Sequence, residues 1–226
     1  MTFSKEWEQS FSSNTHISVW PWSDVVSLVN QNCKSIISKP DGVNVLELGC
    51  GAGANIPFFE KLGFNYYAIE GSSTIVKRLH KKFPKFKDTI LCGDFTRDQP
   101  FSNNFDLILD RAALTHNNTN SIKFALNLVK QSLKKNALFI GIDWFSKNHS
   151  DSINGIEIDD KYTRTNIMKG PFVGVGKVHF SNLSHMLELL HDFEIIFLEE
   201  KLSIHHKPLS KYQFASWNFV VRKKNV

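Results

Sequence analysis

The chain has 226 residues, 42% of them apolar, which suits one domain with one sizeable core. A formal net charge of +5, spread along the chain, is too mild and too dispersed to indicate a nucleic-acid groove. No run of about 20 apolar residues offers a membrane span. The N-terminal Met1-Thr2-Phe3-Ser4-Lys5-Glu6-Trp7 lacks the basic start and apolar stretch of a signal peptide, and Cys33, Cys50 and Cys92 lack CxxC spacing, which fits a reduced, cytoplasmic protein.

In chain order, residues 23–38 read as a helix, with Val25, Val26, Val29, Cys33, Ile36 and Ile37 at helical spacing and Ser23 as N-cap. Lys39-Pro40-Asp41-Gly42 breaks the chain before an apolar run at 43–48 suited to a buried parallel strand. A Gly-rich turn follows, then a helix over about 54–62 that Gly63 can close. Residues 66–70 read as a strand and 72–83 as a helix whose lysines form a solvated face. Residues 89–92 and 105–109 read as strands, 119–135 as an amphipathic helix, and 137–142 as another apolar strand. A helix at 182–191 and strands at 193–198 and 217–221 follow. Alternating strands and helices imply an α/β, doubly wound, mostly parallel sheet with helices on both faces. Two segments break the alternation. One is Val19-Trp20-Pro21-Trp22; the other is 144–180, a long stretch of the kind that is often functional.

In open α/β sheets, ligands bind at the carboxyl ends of the strands where strand order reverses. Here the first strand and turn read Glu47-Leu48-Gly49-Cys50-Gly51-Ala52-Gly53-Ala54. Gly49, Gly51 and Ala54 also satisfy the dinucleotide pattern G-x-G-x-x-G/A. Glu47 separates the two ligands: its carboxylate repels a pyrophosphate but suits the ammonium and sulfonium of S-adenosylmethionine. A Glu47 that points away and pairs with a lysine stays open as the alternative. Glu70, about 20 residues beyond the turn and followed by Gly71 and Ser72, is placed to accept both ribose hydroxyls. At the third strand's end, Asp94 can accept an adenine amino group and Phe95 can offer its ring to the base.

With these features in order, residues 43–143 resemble a class I S-adenosylmethionine-dependent methyltransferase. The fourth-strand acid of that pattern is Asp106 or Asp110. The resemblance implies a seven-strand, Rossmann-like sheet with an antiparallel last strand, for which 217–221 is the candidate. It implies one domain over 1–226, with a helical and aromatic cap at 1–40 and a substrate-side insertion at 144–180. Ser18-Val19-Trp20-Pro21-Trp22-Ser23-Asp24, Asp110-Arg111-Ala112-Ala113-Leu114-Thr115-His116 and Gly141-Ile142-Asp143-Trp144-Phe145 also look like small bacterial methyltransferases of cell-surface polysaccharide gene clusters.

On the acceptor side, a sugar hydroxyl is a poor nucleophile and benefits from a general base. His116 is the candidate base, against a packing role. Asp143 is a base, a metal ligand or an orienting partner for Arg111. The spacing of Asp143, His149 and Asp151 matches no metal motif, and no metal is expected. Arg164 and His179, with Lys177, are candidates for acceptor recognition within a glycine-rich lid, against a hairpin that wraps the core. Trp20 and Trp22 are a cover for the donor, a stacking surface for a sugar, or a staple for the first helix. The expected partner is a small-molecule or glycan acceptor, and oligomeric state stays open. A protein or tRNA acceptor and a non-enzymatic cofactor-binding partner are the alternatives. Asp110-Arg111-Ala112-Ala113 stands where amino-directed enzymes of nucleic acids carry Asn/Asp-Pro-Pro-aromatic.

Overall fold

The structure is a computed structural model that describes residues 5–13, 17–102 and 104–224. Residues 1–4, part of the expected cap and of the N-terminus read against a signal peptide, lie outside the described residues. Ten strands are present among them: β1 (Asn44–Leu48), β2 (Asn65–Glu70), β3 (Ile90–Cys92), β4 (Phe105–Arg111), β5 (Leu133–Phe145), β6 (Ile156–Ile158), β7 (Asp160–Thr165), β8 (Val178–His179), β9 (Phe193–His206) and β10 (Leu209–Lys223). The helices are α1 (Lys5–Ser12), α2 (Ser23–Asn32), α3 (Lys34–Ile37), α4 (Ile56–Lys61), α5 (Ser73–Lys82), α6 (Thr119–Ser132) and α7 (Leu183–Leu189).

Seven strands form the main sheet in the order β3-β2-β1-β4-β5-β10-β9. β1 to β5 pair in parallel, and β10 runs antiparallel to both β5 and β9. This is the seven-strand, Rossmann-like sheet with a reversed last strand that the resemblance implies. Strand order turns back between β1 and β4, so their carboxyl ends open a crevice. Alternation along the strands feeds two cores. Val45, Tyr66 and Leu107 pack with α2, α4 and α5 on one face, and Leu46, Leu48, Ile108 and Phe139 pack with α6 and α7 on the other.

Several boundaries depart from the sequence reading. The helix expected over 23–38 divides at Cys33, whose φ of −108° and ψ of 23° leave the helical region. Its N-cap is Trp22 rather than Ser23, which is the first helical residue. The helix expected to reach 135 ends at Ser132, because Leu133 enters β5 with extended backbone. β9 and β10 run well past the short strands expected and extend together as a long two-stranded ribbon. The insertion at 144–180 holds β6, β7 and β8 as a separate antiparallel sheet. Its strands are short, β6 is wholly exposed and β7 (Asp160-Lys161-Tyr162-Thr163-Arg164-Thr165) is mostly polar, so no apolar run marks them in the sequence. The carboxylate of Asp160 clamps this sheet to the body, accepting from Thr119 N at the start of α6 (2.8 Å) and from Tyr162 N (2.9 Å).

Candidate active site

The turn after β1 is built by glycines with positive φ. Gly49 (φ 66°) packs so closely that a Cβ there would lie 2.4 Å from the Ala113 Cβ. The turn is pinned from the next strand: the Glu70 carboxylate accepts from Gly51 N through Oε2 (2.8 Å) and from Ser72 N through Oε1 (2.9 Å). Ser72 in turn caps α5, its hydroxyl accepting from Ile75 N (3.1 Å). Glu47 does not pair with a lysine. Its buried carboxylate accepts from Asn55 Nδ2 (2.8 Å) and Tyr66 Oη (2.6 Å).

These groups border a cavity of about 500 Å³. Glu47, Gly49, Cys50, Gly51, Glu70, Gly71, Asp94 and Phe95 line its floor and one wall. Asp94 uses Oδ1 to accept from Thr96 N and Thr96 Oγ1, which leaves its buried Oδ2 without a hydrogen-bond partner. A buried acceptor of this kind is costly unless a ligand donates to it. Burial pushes the Glu47 carboxyl up to about 7, against the hydrogen bonds from Tyr66 and Asn55 and with the neighbouring Asp110 and Glu70 charges. Burial also raises Asp110, to about 7, and Glu70. Glu47 and Glu70 on the floor, with Asp110 buried beneath them, favour a cation and disfavour a pyrophosphate.

Residues 46–141 match the family model described as a methyltransferase domain. Over that stretch the chain is similar to a methyltransferase domain. No curated protein matches the sequence. Among solved structures, the fold resembles TehB from Haemophilus influenzae, with a TM-score of 0.63, 14% identity, 96% of this chain and 67% of that one. It also resembles an S-adenosylmethionine-dependent methyltransferase from Mesorhizobium loti (TM-score 0.61, 18% identity, 80% of this chain and 91% of that one). A third is the N-methyltransferase NodS from Bradyrhizobium japonicum in complex with S-adenosyl-L-homocysteine (TM-score 0.56, 12% identity, 84% of each chain). The family match and these neighbours support S-adenosylmethionine as the cofactor.

The residues present fit that group. The acidic floor suits its positive methionine end, Glu70 at the end of β2 presents a carboxylate to the cavity, and Asp94 Oδ2, which accepts no hydrogen bond and has Arg97 Nε 3.8 Å away, can take an amino group beside Phe95. Because a cation beside Glu47 favours its ionised form, binding below pH 7 must release a proton. Donor affinity should therefore rise as pH climbs towards about 7 and then level off. Calorimetry in two buffers of different ionisation heat would register the proton release, and Glu47→Gln should abolish it. An affinity flat across that range would remove Glu47 from the methionine subsite.

Other expected donor residues stand behind the surface. Gly53 and Ser72 shape the turn and cap α5 without lining the cavity. Asp110 is buried beneath it, its Oδ1 accepting from Leu114 N (3.0 Å) and its Oδ2 from Trp144 Nε1 (2.6 Å). Asp106 lies at the start of β4, paired with Lys134 (2.7 Å) and far along the strand from the turn.

On the acceptor side, the structure brings His116, Arg111 and Trp22 to the cavity. His116 follows β4 on a short helical turn, and the Lys177 carbonyl lies 2.9 Å from its Nδ1. A carbonyl only accepts, so Nδ1 carries the proton and the basic lone pair of the neutral ring is on Nε2. The imidazole is held edge-on by Trp7 (4.8 Å between centroids) and Phe145 (5.8 Å). Arg111 lies over the Trp22 ring at 3.7 Å and donates to Asp143 Oδ2 through Nε (3.0 Å), with Nη2 at 2.9 Å. Asp143 does not line the cavity, and of its three expected roles the geometry gives it that of orienting Arg111. Ala112 (φ 57°) and Asp143 (φ 56°) both hold left-handed backbone at these strand ends, a strain that clusters at functional sites.

Three expected acceptor contacts are corrected. Trp20 is 81% exposed and does not line the cavity. Arg164 is turned to Glu157 (2.8 Å) and the Ser152 carbonyl (3.1 Å) within the small sheet. His179 is buried between Thr163 Oγ1 and His185 Nε2, each 3.1 Å away, and His185 stacks on Tyr162 at 3.6 Å. Desolvation holds His179 down to about 3, a neutral packing histidine rather than a ligand for an anion. The glycine-rich segment does reach the cavity, through Pro171, Phe172 and Val175 instead. Asp143 is bound to Arg111 and does not join His149 and Asp151, and no metal-holding cluster of three or more His, Cys, Asp or Glu occurs among the described residues.

The sequence reading missed Trp7, Phe145, Phe172 and Phe214, which line the cavity around His116 and the insertion, Phe11, which packs against Gly51 of the donor turn, and Asn55, which orients Glu47. The aromatic richness of the chain was the one signal for those walls.

Proposed function

We propose that this chain transfers a methyl group from S-adenosylmethionine to a hydroxyl of a small acceptor, a sugar or surface-polysaccharide precursor, with His116 as general base. The observation that supports this most is the His116 ring, fixed in one tautomer by the Lys177 carbonyl and lining the cavity opposite the donor floor. The cofactor, when bound, supplies an electrophilic methyl on a positively charged sulfur. The chain's own residues align the acceptor, exclude water and take up the hydroxyl proton on His116 Nε2. Trp7, Phe145 and Phe172 keep the site dry, and the rings offer flat faces to the C–H bonds of a pyranose. Arg111, oriented by Asp143 and stacked on Trp22, donates to the acceptor's oxygens. The chain works as one domain, with Trp7, Ile17 and Trp22 from the N-terminal region and Pro171, Phe172 and Val175 from the 144–180 insertion closing over the cavity. Three free cysteines, two of them buried, fit a reducing, cytoplasmic setting.

The experiment is a screen of nucleotide sugars and glycans for formation of S-adenosylhomocysteine, followed by His116→Ala on the acceptor found. Turnover should fall by about 10²–10⁴-fold while donor affinity stays within error. Unchanged turnover in that variant would remove the base. Donor binding without turnover on any hydroxyl acceptor would favour a non-enzymatic role.

A further inference from the structure

The most exposed aliphatic side chains converge on one end of the molecule. Ile153 is 86% exposed, Leu209 83% and Met168 80%. They lie on three separate segments that meet around the buried Asp151. Ile153 ends the helical turn that begins at Ser150, whose hydroxyl accepts from Gln213 N on the ribbon (2.8 Å). Tyr212, three residues past Leu209, donates to Asp151 Oδ2 (2.8 Å). Gly170, two residues past Met168, sits against the same oxygen, which is 2.6 Å from where its Cβ would stand. Pro171, Phe172 and Phe214, which follow directly, are cavity wall. The aliphatic tips therefore flank the acceptor side of the site.

Lysines without acidic partners flank two of the three tips, while the nearby Glu157 is neutralised by Arg164 at 2.8 Å and Asp151 is buried. No Asp or Glu occurs from residue 201 to the end of the sequence. Lys169 adjoins Met168, and Lys207 and Lys211 bracket Leu209; all three are exposed, and none forms a salt bridge among the described residues. Protruding aliphatics flanked by unpaired lysines match a lipid interface, with side chains entering the acyl boundary and ammonium groups at the phosphates. A protein partner is better served by a flat patch with anchoring pockets. Single-stranded nucleic acid needs aromatic platforms, and these tips carry none.

We propose that this end of the molecule, led by Ile153, Met168 and Leu209, docks on an anionic lipid surface and brings the acceptor side of the cavity to the membrane. The surface stands on its own observations and does not depend on which acceptor is methylated.

The test is co-sedimentation of the full chain with vesicles of equimolar phosphatidylglycerol and phosphatidylcholine, and with phosphatidylcholine alone. Binding to the first, falling with added salt, and little to the second is the expected result. Met168→Asp/Leu209→Asp should abolish it, and Lys207→Gln/Lys211→Gln should weaken it by about tenfold or more. Circular-dichroism melting checks that both variants are folded, and none of the four positions lines the cavity. Failure of wild-type protein to sediment with anionic vesicles would overturn the proposal, as would binding that survives the aspartate variant. A wild-type dimer in ultracentrifugation that the aspartate variant converts to monomer would assign the patch to a second copy of the chain instead.

Discussion

Glu70→Ala is expected to weaken S-adenosylmethionine binding by about 100-fold, the loss that follows when a charged hydrogen-bond acceptor worth roughly 3 kcal/mol is removed. The effect has two sources. The variant loses the acid at the ribose position, and it leaves the amides of Gly51 and Ser72, both now satisfied by the carboxylate, without their partner. The turn that approaches the ligand is thereby released along with the contact itself. Calorimetric titration measures the change, and Glu70→Gln, which keeps one acceptor oxygen, should fall between the variant and the wild type. Binding in Glu70→Ala within about threefold of wild type would mean that the ribose role was misassigned.

The second large effect is on stability. Gly141 lies on β5 opposite Phe219 of β10, and a Cβ at that position would stand 2.1 Å from Phe219 Cζ and 2.2 Å from Cε1. The ring has nowhere to go. It is fully buried and packed edge-on against Trp144 (4.9 Å) and Phe139 (5.4 Å). Gly141→Ala should therefore cost about 3 kcal/mol, the upper end for overpacking, and lower Tm by about 10 °C for a domain of this size. Adding Phe219→Leu should recover part of the loss by making room. A Gly141→Ala protein that melts with wild type would show that the β5–β10 contact is looser than it stands here.

The alternation of strands and helices was legible because it rests on local periodicity. Val45, Leu46 and Leu48, or Ile122, Leu126 and Val129, declare their element within a few residues. The donor floor was legible for a related reason. Glu47, Glu70 and Asp94 each sit near the carboxyl end of a strand, so parallel topology alone brings them together. The acceptor walls were not legible. Trp7, Phe172 and Phe214 come from an N-terminal helix, an irregular insertion and the last strand, and only tertiary packing joins them. The same lack of locality misplaced His179 and Arg164, whose partners lie within the small sheet and α7 rather than in the cavity. Asp143 shows the intermediate case. Its strand-end position marked it as near the site, but its work on Arg111 depends on a neighbour 32 residues away.

The position of β10 between β5 and β9 constrains how the chain reaches its native form. β5 can pair with β4 early, but its other edge stays bare and β9 has no sheet neighbour until residues 209–223 have emerged from the ribosome and turned back. Up to that point the nascent chain presents a bare strand edge on β5, with Phe139 and Trp144 uncovered, a surface that invites mispairing. Closure must then come late and all at once, as a strand slots into a waiting gap with contacts of very long sequence separation, such as Ser216 on Phe145. Chains stalled short of this strand would be clients for chaperones, whereas completed ones gain their missing edge, their inner rings and Phe214 on the acceptor wall in a single event.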